Sequence, residues 1–355
     1  MKAIIRTAAK IENDQIIDEM NRCFSPIREP GFDFRVEQRK IYEEGRVNAN
    51  MHTVATIDDS IIGVVGNLPY AITINSLRYP FTFIGSVCVD KHYRGQGIMR
   101  DMMEYTEHQN IKNGQIFSCL TGDEKLYNKF GYYKGVRNDI YIVNKMFVHN
   151  KEKVSLIKYR DAFFNDVFEL YNSKQNALIR QRGNFIESID GASKLYIVLK
   201  EGKFIGYLSY LKKRNAIIEL YLKDNKYISS VLREACNTFG QNTLYIRHNI
   251  LDQSLAREYQ KKHFIHVKKK DLMIKVFNLK GFLELLLEYN HKYGFIDKDY
   301  YHKFSYDGMI YELAYGVKLT PGNTSKPVDR EKLLEHLFSK SGANLKFEIP
   351  APEEF

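Results

Sequence analysis

The sequence contains no stretch of about 18 uncharged apolar residues, the length that a membrane-spanning helix needs. Its first twenty residues carry acidic side chains where the apolar region of a signal peptide would lie. The four cysteines, Cys23, Cys88, Cys119 and Cys236, form no C-x-x-C pair, so their spacing suggests neither a disulfide framework nor a zinc site. These absences predict a cytoplasmic protein that holds no metal and has no membrane partner.

The composition also lacks any strong bias, with 44% hydrophobic and 27% charged residues, as in ordinary globular proteins. At 355 residues the chain is too long for one core and is expected to form two or three domains. A net charge of +10 favours anionic ligands. The basic runs at residues 212–215 and 268–270 are short and lie beside strand-like segments, so they indicate a solvated face. We therefore expect no nucleic-acid partner.

Hydrophobic periodicity divides the chain into three regions. Residues 1–150 show two helical patterns, over 15–24 and 36–44, and then predict three strands, a helix, a strand, a helix and a strand. Turns are predicted at "DDS" and around residues 67–69. Residues 151–278 repeat this order more weakly, which suggests an internal duplication. Residues 279–355 contain an amphipathic helix, two strand-like runs and a further helix, so the fold class is α/β with mixed sheets.

One stretch, "VDKHYRGQGIMRDMM" at residues 89–103, places two glycines between a strand and a helix. Backbone N–H groups at a helix N-terminus bind anions, and Gly95 and Gly97 would let the backbone approach a phosphate closely. Arg94 and Arg100 can add charge-assisted hydrogen bonds. The stretch is not a P-loop, because Ile-Met-Arg follows Gly97, and Arg100 stands where the dinucleotide fingerprint needs a third glycine. A tight turn without a ligand is the alternative.

This stretch resembles the pyrophosphate loop of the GNAT acyltransferases, [QR]-x-x-G-x-[GA]. "RGQGIM" fits it at Arg94 and Gly97 and departs from it at Met99. With "LYNKFGYYKG" after the next strand, the sequence is similar to the Eis (enhanced intracellular survival) aminoglycoside acetyltransferases. The resemblance implies tandem GNAT-like domains, 1–150 and 151–278, of which the second is degenerate because "YLKDNKYISS" lacks glycine. It also implies a C-terminal domain similar to sterol carrier proteins, 279–355, and a homo-oligomer, a hexamer in that subgroup.

The resemblance further implies transfer of an acetyl group from acetyl-CoA, without a metal, to a primary amine of an aminoglycoside, a polyamine or a lysine side chain. Tyr127 would protonate the departing thiolate. The terminal carboxylate of Phe355 would orient the amine or accept its proton through water, and a disordered tail is the alternative. The residues expected to hold acetyl-CoA are Val87, Cys88, Val89, Arg94, Gly95, Gln96, Gly97, Ile98, Met99, Arg100, Gly122 and Asp123.

Acidic side chains are expected around a cationic acceptor. The candidates are Asp33, Glu37, Glu44, Glu353 and Glu354, and for each of them a solvated surface charge is the alternative. Neither His92 nor His108 lies in a constellation that would make it the base. The competing class of function is a non-catalytic protein that binds CoA or lipid, because two of the three regions carry no catalytic signature.

Overall fold

The computed structural model describes residues 2–27, 31–42, 48–149, 151–174, 180, 182–189, 193–249, 252–314, 316–324 and 326–347. Within these ranges the strands are β1 (Ile4–Thr7), β2 (His52–Ile57), β3 (Ser60–Ile74), β4 (Leu77–Val89), β5 (Phe117–Leu120), β6 (Tyr133–Asn144), β7 (Ser155–Lys158), β8 (Lys194–Lys200), β9 (Lys203–Leu211), β10 (Ala216–Leu222), β11 (Thr243–His248), β12 (Ile265–Val276), β13 (His302–Tyr306), β14 (Met309–Leu313) and β15 (Val317–Pro321). The helices are α1 (Asn13–Phe24), α2 (Phe34–Glu37), α3 (Arg39–Tyr42), α4 (Ile98–Lys112), α5 (Glu124–Tyr127), α6 (Phe164–Ser173), α7 (Ile228–Phe239), α8 (Gln253–Lys261), α9 (Leu279–Lys292) and α10 (Leu333–Phe338).

Strands β1 to β12 form one sheet in the order β1-β2-β3-β4-β5-β12-β6-β11-β10-β9-β8-β7. A similar order of elements occurs twice, first from β1 to β6 and again from β7 to β12, although α2 and α3 have no α-helical counterpart among the described residues of the second stretch. We call these stretches the first and second copies. Their last strands are exchanged, because β6 pairs with β11 of the second copy and β12 pairs with β5 of the first. Each copy therefore completes the sheet of the other. The domain boundary predicted after residue 150 falls between these exchanged strands and stays a prediction.

The first copy follows the predicted order with three differences. The helix predicted over 15–24 is confirmed as α1, whereas the second helical pattern forms two short helices, α2 and α3. Strand β1 was not predicted. The turn predicted around residues 67–69 is wrong: β3 continues through Asn67 and Pro69, and the chain turns at Asn75 and Ser76. β3 pairs with β4 through this stretch, and the amide of Asn67 also bonds that of Asn110 on α4.

Helices pack on both faces of the sheet in the first copy. The buried side chains of α1, among them Ile16, Ile17 and Met20, pack with Phe34 and Tyr42 on one face. Met102 and Met103 of α4 pack on the opposite face. Burying each of these apolar side chains contributes roughly 1.5–3 kcal/mol relative to its exposed state. Strand β4 lies between the two layers, so it is the element on which both helical layers converge.

The C-terminal region packs on the same sheet rather than apart from it. Its helices α9 and α10 bury Phe282 and Leu337 in one core with Phe81 and Phe117 of the first copy. Strands β13, β14 and β15 form a separate antiparallel sheet, where the sequence had suggested two strands. Its likeness to sterol carrier proteins stays a prediction. No helix among the described residues is long and apolar enough to cross a membrane.

Candidate active site

The candidate site begins where two parallel strands of the first copy part. Strands β4 and β5 pair only through Phe81 to Phe83 on one side and Phe117 to Cys119 on the other. Beyond Phe83, strand β4 continues to Val89 while β5 ends at Leu120. Among the described residues, no strand lies beside the edge of β4 that faces this gap, so its backbone groups are available to a ligand.

A β-bulge lies on the free part of β4. Gly66 of β3 pairs with Gly85, and Val64 pairs with Cys88, so one residue of β3 faces both Ser86 and Val87. Ser86 has φ of +52°, a left-handed conformation that non-glycine residues seldom adopt. Such bulges redirect the strand and are common beside functional sites. Here the bulge changes the direction of β4 at the point where it leaves β5.

The predicted glycine-rich turn follows β4 directly. Gly95 and Gly97 have φ of +79° and +82°, and a Cβ at either position would meet no atom within 4 Å. Gly97 is the N-cap of α4, and it has no side chain to bond the first N–H groups of the helix. Arg94 is anchored because its Nε donates to the carbonyl of Val89 at 2.9 Å. The turn thus presents unoccupied helix N–H groups beside open space, which suits an anion.

A cleft of about 330 Å³ joins the strand and the turn. Its lining includes nine of the residues predicted to hold acetyl-CoA, and the end of α1 closes it. Those nine residues are Val87, Cys88, Val89, Arg94, Gly95, Gly97, Ile98, Met99 and Arg100. The structure therefore brings most of the predicted cofactor residues together around one cavity. Met99, which departs from the loop pattern, is half-buried and lines the cleft.

The α1 wall of the cleft was not identified from the sequence. Cys23, Phe24 and Ile27 line it, and Cys23 donates to the carboxylate of Glu19 at 3.3 Å. Glu19 also pairs with Arg22, whose guanidinium lies 3.2 Å from Asp90 at the end of β4. Burial raises the pKa of Glu19 above its usual range. This wall could have been predicted from Glu19, a charged residue on the apolar face of α1 four positions before Cys23.

Tyr127, the predicted acid, lies at the end of α5 on the other side of the gap. Its ring packs with Ile98 and Leu120, and its hydroxyl has no hydrogen-bond partner among the described residues. Burial raises the pKa of Tyr127 to about 12, with the neighbouring Cys88 thiol adding to the effect. The ring also lies against Gly122, where a Cβ would meet Tyr127 Cε2 at 2.5 Å. Tyr127 is thus a protonated phenol with a free donor.

The remaining predicted residues lie elsewhere or have structural partners. Gln96 and Gly122 do not line the cleft, and the carboxylate of Asp123 caps α5 by accepting from the N–H of Lys125. Asp33 caps α2, and Glu37 pairs with Lys213 at 2.8 Å. These carboxylates therefore have structural partners. Four further candidates lie outside the described residues, namely Glu44, Glu353, Glu354 and Phe355.

Comparison with known proteins decides the family of this region. Residues 4–135 match the acetyltransferase (GNAT) domain. They form a GNAT acetyltransferase domain. The chain is therefore an enzyme, an N-acetyltransferase by this domain, and the acyltransferase fold around the cleft is one that uses acyl-CoA. No curated protein sequence matches the chain.

Solved structures extend the likeness in fold beyond this GNAT domain. A GCN5-related N-acetyltransferase from Anabaena variabilis superimposes with a TM-score of 0.66 at 16% identity, covering 95% of this chain and 90% of that one. Another from Kribbella flavida gives 0.62 at 15% identity, with 91% and 86% covered. Eis1 from Mycobacterium abscessus gives 0.61 at 12% identity, with 93% and 88% covered. At such identities the likeness shows the fold alone.

Proposed function

We propose that the protein transfers an acetyl group from acetyl-CoA to a primary amine, by direct attack of the amine on the thioester. The observation that carries this proposal is the cleft itself, which runs from the unpaired edge of β4 to the uncapped N-terminus of α4. Anion-binding N–H groups at one end suit a pyrophosphate. A strand with free backbone N–H groups at the other end suits a thioester carbonyl that gains negative charge as the amine attacks.

The residues around the gap would have two roles in catalysis. The backbone N–H groups of Val87 to Val89 would polarise the carbonyl, and Tyr127 would donate its proton to the departing thiolate. The phenol of Tyr127 is protonated at neutral pH, so it carries a proton to donate, although burial makes it a weaker acid than a free phenol. Transfer then leaves an amide and free CoA, with the phenol regaining the proton that the amine releases through solvent.

Two carboxylates beside the α1 wall of the cleft would favour a basic substrate. Glu19 and Asp90 place two carboxylates against the single guanidinium of Arg22 where α1 meets the end of β4. A net negative charge at this place would attract an ammonium ion before it loses its proton. Aminoglycosides, polyamines and lysine side chains all present such an amine.

Two measurements test the proposal. Calorimetric titration should show binding of acetyl-CoA, and release of the CoA thiol should depend on an added amine. The panel of acceptors contains aminoglycosides, polyamines, lysine-containing peptides and amino sugars. No binding of acetyl-CoA at millimolar concentration would refute the proposal. Binding without thiol release in the presence of any of these amines would refute the transfer reaction.

A further inference from the structure

Three buried polar side chains form a chain of hydrogen bonds beneath α1 to α3. The hydroxyl of Tyr42 lies 2.9 Å from Nε2 of His52 and 3.4 Å from Oγ of Ser86. Nδ1 of His52 lies 2.9 Å from the carbonyl oxygen of Asn48. Tyr42 is 1% exposed and His52 is 2% exposed, so water does not compete for these bonds. The chain joins the end of α3 to the bulge of β4.

The donor and acceptor of each hydrogen bond in this series follow from the bond between His52 and the carbonyl oxygen of Asn48. A carbonyl oxygen can only accept, so Nδ1 of His52 must carry the hydrogen. Burial lowers the pKa of His52 to about 4, so the ring is neutral and Nε2 is an acceptor. Tyr42 must therefore donate its hydrogen to Nε2, which leaves only lone pairs on the phenol oxygen for Ser86. The hydroxyl hydrogen of Ser86 consequently points at Tyr42.

At the end of the hydrogen-bond chain nearest the cleft, Oγ of Ser86 can act only as a hydrogen-bond acceptor. With its hydrogen engaged by Tyr42, Oγ of Ser86 has only lone pairs left, and no other described residue donates to it. The low pKa of His52 also excludes a different role for the chain, because a neutral imidazole that resists protonation would not draw a proton inward at neutral pH. The hydrogen-bond chain therefore fixes the orientation of the Ser86 hydroxyl and does not transfer a proton.

Ser86 lies at the bulge that immediately precedes the wall of the cleft. The next three residues of β4 line the cavity, and Cys88 faces the same layer of helices as Tyr42. A Cβ at Gly66 of β3 would lie 3.0 Å from the carbonyl oxygen of Gly85, so glycine suits the close pairing of β3 with β4 just before the bulge.

We propose that Oγ of Ser86 accepts an N–H hydrogen bond from the acceptor amine, and that Tyr42 and His52 act as positioning residues that keep the Ser86 hydrogen turned away from the amine. This inference rests on the proposed function, because it concerns the substrate of the same cleft. The bond would orient the amine so that its lone pair faces the thioester.

The test is a double-mutant cycle of Ser86 and Tyr42, in which kcat/KM for the amine is measured. Ser86→Ala should lower kcat/KM for the amine about 10-fold, the effect of one lost hydrogen bond, without changing the Kd for acetyl-CoA. Tyr42→Phe should lower it about 3-fold, because Ser86 then rotates freely. The double variant should be no worse than Ser86→Ala, since Tyr42 acts only through the serine. A purely structural role of Tyr42 would give additive losses and would overturn the proposal.

Two further variants separate the hydroxyl from the backbone. Ser86→Gly removes the hydroxyl while relieving the left-handed conformation, so it should match Ser86→Ala; recovery of normal kcat/KM by glycine would show that only the bulge matters. Thr82→Val removes a buried hydroxyl without a hydrogen-bond partner from the same strand and should leave kcat/KM unchanged. Loss of activity in Thr82→Val equal to that in Ser86→Ala would also overturn the proposal.

A readout without turnover tests the direction of the chain. In ¹⁵N-labelled protein at pH 7, the resonances of His52 should show a protonated Nδ1 and an unprotonated Nε2, and Tyr42→Phe should shift Nε2 alone. The opposite tautomer would refute the inferred direction. A wild-type protein that binds no acetyl-CoA would refute the proposed function together with this inference, whereas full amine turnover by Ser86→Ala would refute the inference alone.

Discussion

The two copies of the fold differ most at the turn that precedes their long helix. In the first copy, α4 begins at Gly97 with no side chain across its N-terminus. In the second copy, the 3-10 turn that Asp224 caps runs directly into α7 without a glycine turn, and the α7 N-cap, Tyr227, likewise makes no side-chain hydrogen bond. The hydroxyls of Ser229 and Ser230 accept from the backbone N–H groups of residues 149 and 152, each at 3.0 Å. The same architecture thus places a glycine-rich turn beside the cleft in one copy and packs the first turn of the helix against residues 149 and 152 in the other.

The face of the splayed strand differs in the same way. In the first copy it carries Ser86 and its neutral hydrogen-bond chain. In the second copy Glu219 of β10 pairs with Arg180 at 2.8 Å and accepts a hydrogen bond from Tyr207 at 2.6 Å. These partners satisfy a buried charge that would otherwise be costly. Both copies therefore take part in the strand exchange. In the second copy, the residues that correspond to the cleft of the first serve internal packing.

The largest effect is expected at the glycine-rich turn. Gly97→Asp should weaken acetyl-CoA binding about 100-fold or more, because a carboxylate would face the pyrophosphate. Gly97→Asn tolerates the same φ and lacks the charge, so it should bind much better than the aspartate variant. Asn225→Asp, at the matching turn of the second copy, should bind like the wild type. Calorimetry measures all three, and equal weakening by the Asn225 variant would contradict the division between copies.

The two tyrosines at matching places should differ in turnover. Tyr127→Phe should lower kcat about 100-fold with an unchanged Kd for acetyl-CoA, as expected for loss of a general acid. Tyr259 ends the corresponding pattern of the second copy and is fully buried. Tyr259→Phe should keep the wild-type kcat. Acceptor-dependent thiol release checks both variants, and normal kcat in Tyr127→Phe would remove the assigned acid.

The charged pair of the second copy should matter for stability and not for catalysis. Glu219→Gln leaves Arg180 buried without its counter-charge, so the free energy of unfolding should fall by about 4 kcal/mol. The double variant Arg180→Met with Glu219→Met should lose less, because no unpaired charge remains. Urea unfolding measures the loss, and kcat of the folded variant should be unchanged. A single variant as stable as the wild type would show that the pair is not an internal support.

A smaller effect should appear on acidification, shared by both copies. Burial lowers the pKa of His52 and of His248 to about 4 in the folded protein. Below pH 6.5 the unfolded chain binds protons that the folded chain does not, so stability falls between pH 6.5 and 4, by up to about 3 kcal/mol for each histidine. His52→Gln and His248→Gln should each flatten this slope. An unchanged slope in both would contradict the buried neutral state.

The glycine-rich turn could be predicted because its chemistry lies within one short stretch. Gly95, Gly97 and Arg94 follow a strand and begin a helix, and that local pattern determined the cleft. The aromatic motif around Tyr127 is local in the same sense. The exchange of β6 and β12 is not local, since it depends on which of several similar strands pairs with which, and periodicity along one strand does not specify a partner.

The hydrogen-bond chain was missed for a related reason. Tyr42, His52 and Ser86 come from α3, β2 and β4, and no spacing in the sequence links them. In the sequence, Ser86 cannot be distinguished from an ordinary strand residue. Only the bulge of β4 directs its side chain toward Tyr42. The turn predicted around Pro69 failed because Asn67 and Pro69 are common in turns, while pairing of β3 with β4 on both sides of them prevailed.

The central claim is that one copy holds the cofactor and the other does not. The number of acetyl-CoA molecules bound by each chain tests this most directly, by calorimetric titration at a protein concentration well above the Kd. The account predicts one molecule per chain in the wild type and none in Gly97→Asp under the same conditions. Two molecules per chain, or one that survives the Gly97→Asp substitution, would contradict it.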